Sequence, residues 1–172
     1  MLIYNYGLFW KRDCVFWGRP KVKGHLKGLP AKKLKSAPID FREQQGVYIL
    51  YDDNFRVVYV GQSGKKSQRL FQRLKQHQQD ALAERWTRFS WFGIRSTLKS
   101  GKLSNVNQAA HPPLRAVLDH IEAILISATE PPHNRQGGRF GIKVTQYLQH
   151  RDDALGLTHQ DMVREIWERG SN

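Results

Sequence analysis

The sequence predicts an α+β fold: a small, mainly antiparallel three-stranded sheet flanked by helices, with a basic and aromatic N-terminal extension. Two short apolar runs on either side of a polar turn predict a β-hairpin, and an aromatic run further along predicts a third strand. Longer segments with apolar residues at helical spacing predict helices that pack on the sheet. The 172 residues are 40% hydrophobic, which indicates one packed domain with an appendage.

The N-terminal extension, residues 1–45, is the most basic part of the chain. It holds ten lysines and arginines against three acidic residues, and so carries more than half of the net charge of +13. Residues 2–17 predict a strand pair around a charged turn. Residues 18–40 are rich in glycine, proline and lysine and predict an extended basic arm, with a solvated linker as the alternative. Four lysines of this arm are expected to contact a polyanion: Lys21, Lys23, Lys32 and Lys33.

From residue 46 onward the pattern becomes compact. The predicted strands lie at residues 46–51, 55–61, 86–94 and 140–144. The predicted helices lie at residues 67–80, 112–129 and 158–169, where paired prolines begin and end the second helix and Thr158 is the expected N-cap of the third. Residues 46–145 therefore form the predicted domain, and residues 146–172 form a helical extension that packs on it.

The hairpin is expected to place two phenols on one face of the sheet. If residues 53–54 form a two-residue turn, Tyr48 pairs directly with Tyr59, and directly paired residues share a face. A three-residue loop would put the phenols on opposite faces. Gly46 and Gly61 would leave the sheet surface beside the phenols bare, so that a backbone or ligand could approach closely. Ordinary cross-strand packing is the alternative interpretation of the two tyrosines.

The helix predicted over residues 112–129 has one apolar stripe, of the kind that faces a core. Its members are Leu114, Val117, Leu118, Ile121 and Leu125. Glu122 projects roughly 80–100° from the centre of that stripe. A carboxylate at this border could reach a cleft beside the sheet, whereas Asp119 and Glu130 are expected to be surface residues.

The composition excludes several classes of protein. The single Cys14 excludes an intramolecular disulfide and a zinc site built from cysteines. No apolar run approaches the roughly 18 residues of a membrane span, and no charged leader precedes an apolar block at the N-terminus. A cytoplasmic protein without a membrane partner is therefore expected. The positive charge favours nucleic acid as the partner, because lysines and arginines displace counterions from phosphates.

Several motifs in order along residues 46–145 resemble those of the GIY-YIG nucleases. The two namesake motifs are Gly46-Val47-Tyr48 and Tyr59-Val60-Gly61. An arginine with a histidine four residues later follows, as Arg73 and His77. A helical glutamate, a proline and an asparagine complete the set, as Glu122, Pro132 and Asn134.

The resemblance implies a divalent-metal-dependent endonuclease that hydrolyses phosphodiester bonds, with DNA as the expected substrate. Its implied catalytic residues are Tyr48, Tyr59, Arg73, His77, Glu122 and Asn134. Glu122 would hold Mg²⁺, or alternatively Mn²⁺, with water and phosphate oxygens as the other ligands. Arg73 would stabilise developing charge, and one of the tyrosines would orient or deprotonate the attacking water. Further cations would contact the nucleic acid: Lys65, Lys66, Arg69, Arg135 and Arg139.

The sequence leaves several alternatives open. Arg69 competes with Arg73 for the catalytic position, because the segment between the second motif and Arg73 is long. Either tyrosine could be the base. A catalytically inert nucleic-acid-binding module and an RNA-directed nuclease are the alternative functions, and the sequence specificity, biological role and oligomeric state are not legible.

Overall fold

Seven strands form one mixed sheet in the computed structural model, which describes residues 2–64, 68–105, 113–130 and 137–156 and the single residues 158, 160 and 162. The strands are β1 (Asn5–Lys11), β2 (Lys27–Pro30), β3 (Ile39–Asp40), β4 (Gly46–Tyr51), β5 (Val57–Ser63), β6 (Arg88–Gly93) and β7 (Thr145–Gln149). The α-helices in these ranges are α1 (Leu70–Gln76) and α2 (Leu114–Thr129). The order across the sheet is β3-β2-β7-β1-β6-β4-β5, and only the pair β1–β7 is parallel.

The prediction of a small three-stranded sheet is wrong. Strands β6, β4 and β5 are adjacent and antiparallel, but they form only one end of a seven-stranded sheet. The residues of β6 are buried from Phe89 to Gly93, so this strand needs a neighbour along both edges. Strand β1 of the N-terminal extension provides the second neighbour, and β2 and β3 join through β7.

The N-terminal extension is therefore part of the sheet. The strand pair predicted within residues 2–17 is absent, because β1 ends in a 3₁₀ turn at Arg12–Cys14 and pairs with β6 instead. Part of the predicted basic arm forms β2 and β3, while residues 32–38 between them are exposed. Of the C-terminal helix predicted at residues 158–169, nearly all lies outside the described residues.

Side chains of β4 alternate between two separate cores, one on each face of the sheet. We name them the α1 face and the α2 face after the helix that covers each. The core of the α1 face contains Trp10, Leu26, Phe41, Tyr48, Leu50, Leu70, Phe71, Leu74, Trp86, Phe89 and Trp91. The core of the α2 face contains Ile3, Ile49, Tyr51, Phe92, Ala123, Ala128 and Phe140.

Helix α2 packs through His120 and three small residues and leaves four of the five members of its predicted apolar stripe exposed, which reverses the expected orientation. Ala123, Ser127 and Ala128 are buried, and a side chain at Gly138 would overlap the carbonyl oxygen of Ala123. Such close approach requires glycine at position 138. The outward stripe of Leu114, Leu118, Ile121 and Leu125 is between 45% and 75% exposed. No described helix is long and apolar enough to cross a membrane.

Candidate active site

The phenols of Tyr48 and Tyr59 lie on the same face of the sheet, as the sequence predicts, but they do not pair directly. Tyr48 pairs with Gly61, and Leu50 pairs with Tyr59. The predicted direct pairing of the two tyrosines is thus displaced by two residues. Their ring centroids are 6.1 Å apart, which places both phenols on the α1 face.

The shared face depends on a bulge in β5. The turn is longer than predicted: Tyr51 pairs with Val57 across the five residues 52–56, and an odd number of loop residues would put the phenols on opposite faces. The pairing shifts by one residue between Tyr51 and Leu50, so that Val58 is the extra residue of the bulge. The Asp52 carboxylate fixes the turn by accepting hydrogen bonds from two backbone N–H groups within it.

Because Gly61 has no side chain, it leaves the space that the Tyr48 ring occupies. A Cβ atom at Gly61 would overlap the ring and hydroxyl of Tyr48 and the ring of Tyr59. The glycine therefore allows the Tyr48 ring to lie directly over the backbone of β5. Gly46 has a different role: its φ is +146°, and a side chain there would overlap the carbonyl oxygen of Phe92.

A chain of hydrogen bonds runs from the buried Tyr48 hydroxyl through His77 to the exposed Asp80 carboxylate. This hydroxyl is 2.8 Å from Nε2 of His77, and Nδ1 of His77 is 2.6 Å from Oδ2 of Asp80. Because a carboxylate can only accept, Nδ1 carries the proton, and in the tautomer with that single proton Nε2 is the acceptor for the phenol. The indole of Trp86 donates to the backbone carbonyl of His77 at 3.1 Å and so holds the end of α1 in place.

Burial and charge act in opposite directions on this chain. Burial raises the pKa of Tyr48 to about 12, and the Arg73 guanidinium partly offsets this effect, whereas Tyr59 adds to it. The backbone N–H of Leu82 and the His77 ring hold the pKa of the Asp80 carboxyl below its usual range. The carboxylate is therefore ionised at neutral pH, and the phenol of Tyr48 is protonated.

An open cavity of about 770 Å³ lies above this chain at the β5 edge of the sheet. Tyr59, Gly61 and Arg73 line the cavity, while Tyr48 and His77 are buried beneath it. Tyr59 is thus the phenol that a ligand in the cavity meets, and the Tyr48 hydroxyl interacts with it from below.

The two candidate arginines differ in their surroundings. Arg73 lines the cavity, where its guanidinium donates to the Gln76 amide oxygen at 2.8 Å. Arg69 lies at the N-cap of α1, and its Nε is 3.5 Å from a carboxylate oxygen of Glu43. The geometry therefore favours Arg73 as the arginine of the candidate site.

Glu122 does not join the phenols. It is exposed on α2, which packs on the opposite face of the sheet, and it lines a groove with Arg115 and Leu118. At the phenol site the Asp80 carboxylate is engaged with His77 and with a backbone N–H, and the described residues contain no group of three side chains suited to a metal ion. The described donor set around the phenols therefore does not fit the Mg²⁺ or Mn²⁺ ion that the resemblance implies.

The remaining predicted residues are dispersed. Lys21 and Lys23 are exposed in the segment before Gly24, whose backbone lies against the Phe71 ring of α1. Lys32 and Lys33 follow β2, and four strands separate β2 from β5 in the sheet. Arg139 is exposed next to Phe140 of the α2 face. Four predicted residues lie outside the described residues: Asn134, Lys65, Lys66 and Arg135.

Sequence reasoning missed Asp80, which holds the His77 ring. The spacing of three residues between them was the available signal, because residues three apart meet on one side of a helix or helical turn. Trp86 was assigned to a strand, and nothing in its sequence context points to the backbone of His77.

No known protein family, curated protein or solved structure matches this chain. The function must therefore be inferred from the geometry and chemistry of the site itself.

Proposed function

We propose that this protein is an intracellular endonuclease that hydrolyses phosphodiester bonds in nucleic acid at the cavity beside β5. The expected substrate is DNA. The observation that carries the proposal is the hydrogen-bonded chain Tyr48–His77–Asp80, whose buried members Tyr48 and His77 lie beneath Tyr59 and Arg73. The resemblance of the sequence to the GIY-YIG nucleases involves four of these five residues, and Asp80 extends the set.

The surface pair would contact the substrate. Arg73 presents a planar group of N–H donors that suits the phosphate oxygens and the negative charge that grows on them during attack. Tyr59 would hold the attacking water and accept its proton as the new oxygen–phosphorus bond forms. A free phenol has a pKa of about 10, so it is a useful base only when its own proton has somewhere to go.

The hydrogen-bonded chain Tyr48–His77–Asp80 supplies the destination for the proton of Tyr59. As Tyr59 takes the proton of water, its own proton passes to Tyr48, and the proton of Tyr48 passes to Nε2 of His77. The resulting imidazolium is stabilised by the Asp80 carboxylate at 2.6 Å. The bond to the leaving oxygen breaks, and solvent protonates that oxygen in the open cavity. Tyr48, His77 and Asp80 are thus positioning residues that act through Tyr59.

The basic surface supports nucleic acid as the substrate. The net charge is +13, and the exposed Lys21 and Lys23 precede Gly24, which packs against Phe71 on the α1 face. Such cations would attract a polyphosphate backbone toward the cavity, and the attraction would weaken with salt.

One observation favours a second candidate, a nucleic-acid-binding module without catalysis. Glu122, the metal ligand that the resemblance implies, lies on the opposite face of the sheet from the phenols. In such a module the cavity would grip a phosphate without cutting the chain.

The test is a cleavage and binding assay with supercoiled plasmid, branched DNA and structured RNA, with magnesium and with a chelator. Replacing Arg73 by alanine should slow cleavage by about 10²–10³-fold, the usual effect of removing one group that stabilises the transition state. The matched control is Arg85→Ala, which removes an exposed arginine of the loop after α1 and should change the rate by less than about threefold.

The outcomes separate the candidates. Cleavage of DNA that depends on Arg73 supports the proposed nuclease, and cleavage restricted to the RNA substrate moves the activity to RNA. Retarded mobility of DNA without cleavage under all conditions would overturn the nuclease in favour of the binding module.

A further inference from the structure

The apolar stripe on α2 has no function in the proposed active site. Its four exposed members, Leu114, Leu118, Ile121 and Leu125, are between 45% and 75% exposed, whereas Val117 is half-buried, and the described residues provide no element that covers these four. A continuous row of large aliphatic side chains on one helix is an unusual exposure for a soluble domain and indicates a contact surface.

The spacing of the stripe is that of a helix–helix seam. The intervals between successive exposed members are four, three and four residues, which is the alternation of positions in a heptad repeat. In an antiparallel pair of α2 helices about a twofold axis, Leu114 would face Leu125 of the second copy, and Leu118 would face Ile121 of the second copy. Every exposed member of the stripe thus has a partner, and the arrangement closes on itself.

The charges beside the stripe are self-complementary in the same arrangement. Arg115 and Glu122 both flank one side of the stripe, roughly 70–90° from its centre. Under the twofold axis that side faces its own copy, so Arg115 lies near Glu122 of the second copy, with an axial offset of about 3 Å. The Arg115 guanidinium is largely exposed and uses only Nε on Asp119, which leaves its other N–H groups for a partner.

We propose that two copies of this chain associate through α2 as an antiparallel, twofold-symmetric pair. Leu114, Leu118, Ile121 and Leu125 form the seam, and Arg115 and Glu122 form two reciprocal ion pairs along its edge. The seam lies on the α2 face, so the inference does not depend on the proposed nuclease activity.

The test measures the mass of the full chain by analytical ultracentrifugation over a wide range of protein concentration, at an ionic strength where the Debye length is about 8 Å. The parent protein should show a concentration-dependent dimer. Arg115→Glu and Glu122→Arg each place like charges at both ends of the seam, and each should weaken association by about 10–100-fold. Leu118→Glu should abolish association, while its circular dichroism at low concentration should stay that of the folded parent.

The decisive measurement is the association of the two charge variants when they are mixed. A chain with Arg115→Glu and a chain with Glu122→Arg repel their own copies but attract each other at both ends of an antiparallel seam. The mixture should therefore form a heterodimer with an affinity near that of the parent. A monomeric parent at all concentrations would overturn the proposal, and so would charge variants that dimerise like the parent or a mixture that associates no better than its components.

Discussion

Tyr48 and Tyr51 lie three residues apart on β4, and they are alike in most respects. Both are fully buried, and burial raises the pKa of each phenol to about 12. They differ in the face they occupy and in what their hydroxyls touch. Tyr48 meets His77 at 2.8 Å on the α1 face, whereas Tyr51 donates to the Ala128 carbonyl at 2.9 Å on the α2 face.

The comparison shows that burial alone does not distinguish a functional phenol from a structural one. A backbone carbonyl accepts hydrogen bonds but cannot take up a proton at neutral pH, so Tyr51 joins the sheet to α2 and has no further chemistry. An imidazole held by a carboxylate can take up a proton, so Tyr48 can take part in a reaction. The five predictions below test this difference in order of decreasing effect.

Replacing each tyrosine by phenylalanine tests the comparison directly. Tyr48→Phe should lower the cleavage rate by about 10²–10³-fold because it removes the path for the proton, while Tyr51→Phe should leave the rate within about threefold. Each should lower the free energy of unfolding by a similar amount, about 1 kcal/mol for one lost hydrogen bond. Cleavage rates and denaturant unfolding of the two variants provide the measurement. Equal loss of cleavage in both variants would contradict the assignment.

The glycine beneath Tyr48 offers a second test. Gly61→Ala should displace both phenols, lower cleavage by about 100-fold and cost about 1–3 kcal/mol of stability, as is typical of overpacking. Gly137→Ala is the control, because a Cβ atom there would meet no other atom within 4 Å. An unchanged cleavage rate in Gly61→Ala would show that the Tyr48 ring does not need this position.

The carboxylate behind His77 is expected to have a smaller effect. Asp80→Asn keeps an oxygen for the backbone N–H of Leu82 but removes the charge beside Nδ1, and cleavage should fall about 10–100-fold. The control is Asp119→Asn on α2, whose carboxylate pairs with Arg115 at the surface. The pH profile of cleavage should also shift in Asp80→Asn, which a purely structural role would not produce.

The two tyrosines should make the same contribution to the loss of stability at alkaline pH. Their folded-state pKa values of about 12 lie above the ordinary value of 10.0, so their contribution is present below pH 10 and is lost as the pH rises from 10 through 12. The free energy of unfolding should fall less steeply with pH in Tyr48→Phe and in Tyr51→Phe than in the parent. The slope should decrease because each variant lacks one phenol, which releases up to one proton on unfolding in this range. An unchanged slope in either variant would place that phenol in water.

The smallest effect is expected for the glutamate on the α2 face. Glu122→Ala should change the cleavage rate by less than about threefold in magnesium, because α2 and the phenols are on opposite faces of the sheet. The assay is run at a protein concentration where the parent and the variant have the same measured mass. A loss as large as that of Arg73→Ala would mean that Glu122 does reach the reacting phosphate.

The sequence predicted local structure well and long-range pairing poorly. The two strands of the hairpin follow from β-branched and aromatic runs, and the shared face of Tyr48 and Tyr59 was predicted correctly. The bulge at Val58 was not predicted, because the long turn and the bulge have compensating effects on the face that Tyr59 occupies. Strand β1 could not be assigned to β6, because 77 residues separate Lys11 from Arg88, and no local pattern specifies so distant a partner.

The α2 helix shows a different limit. Its apolar stripe follows from the spacing of leucines and isoleucines, but the buried side carries His120, Ala123 and Ser127, where Gly138 approaches the backbone of Ala123. Helical periodicity identifies an apolar stripe and does not say whether the molecule's own core or a second molecule covers it.

The Asp80 side chain is 37% exposed, although it ends a chain that begins in the buried part of the site. A nucleic acid bound across the cavity would seal the mouth through which Tyr59 meets water. Loss of the Nδ1 proton to solvent through Asp80 would leave the His77 ring with its proton on Nε2, and this tautomer cannot accept a hydrogen bond from Tyr48. Under the proposed activity, the proton on Nε2 therefore returns through Tyr48 and Tyr59 to the cavity, so the base would be reset only after the bound strand leaves.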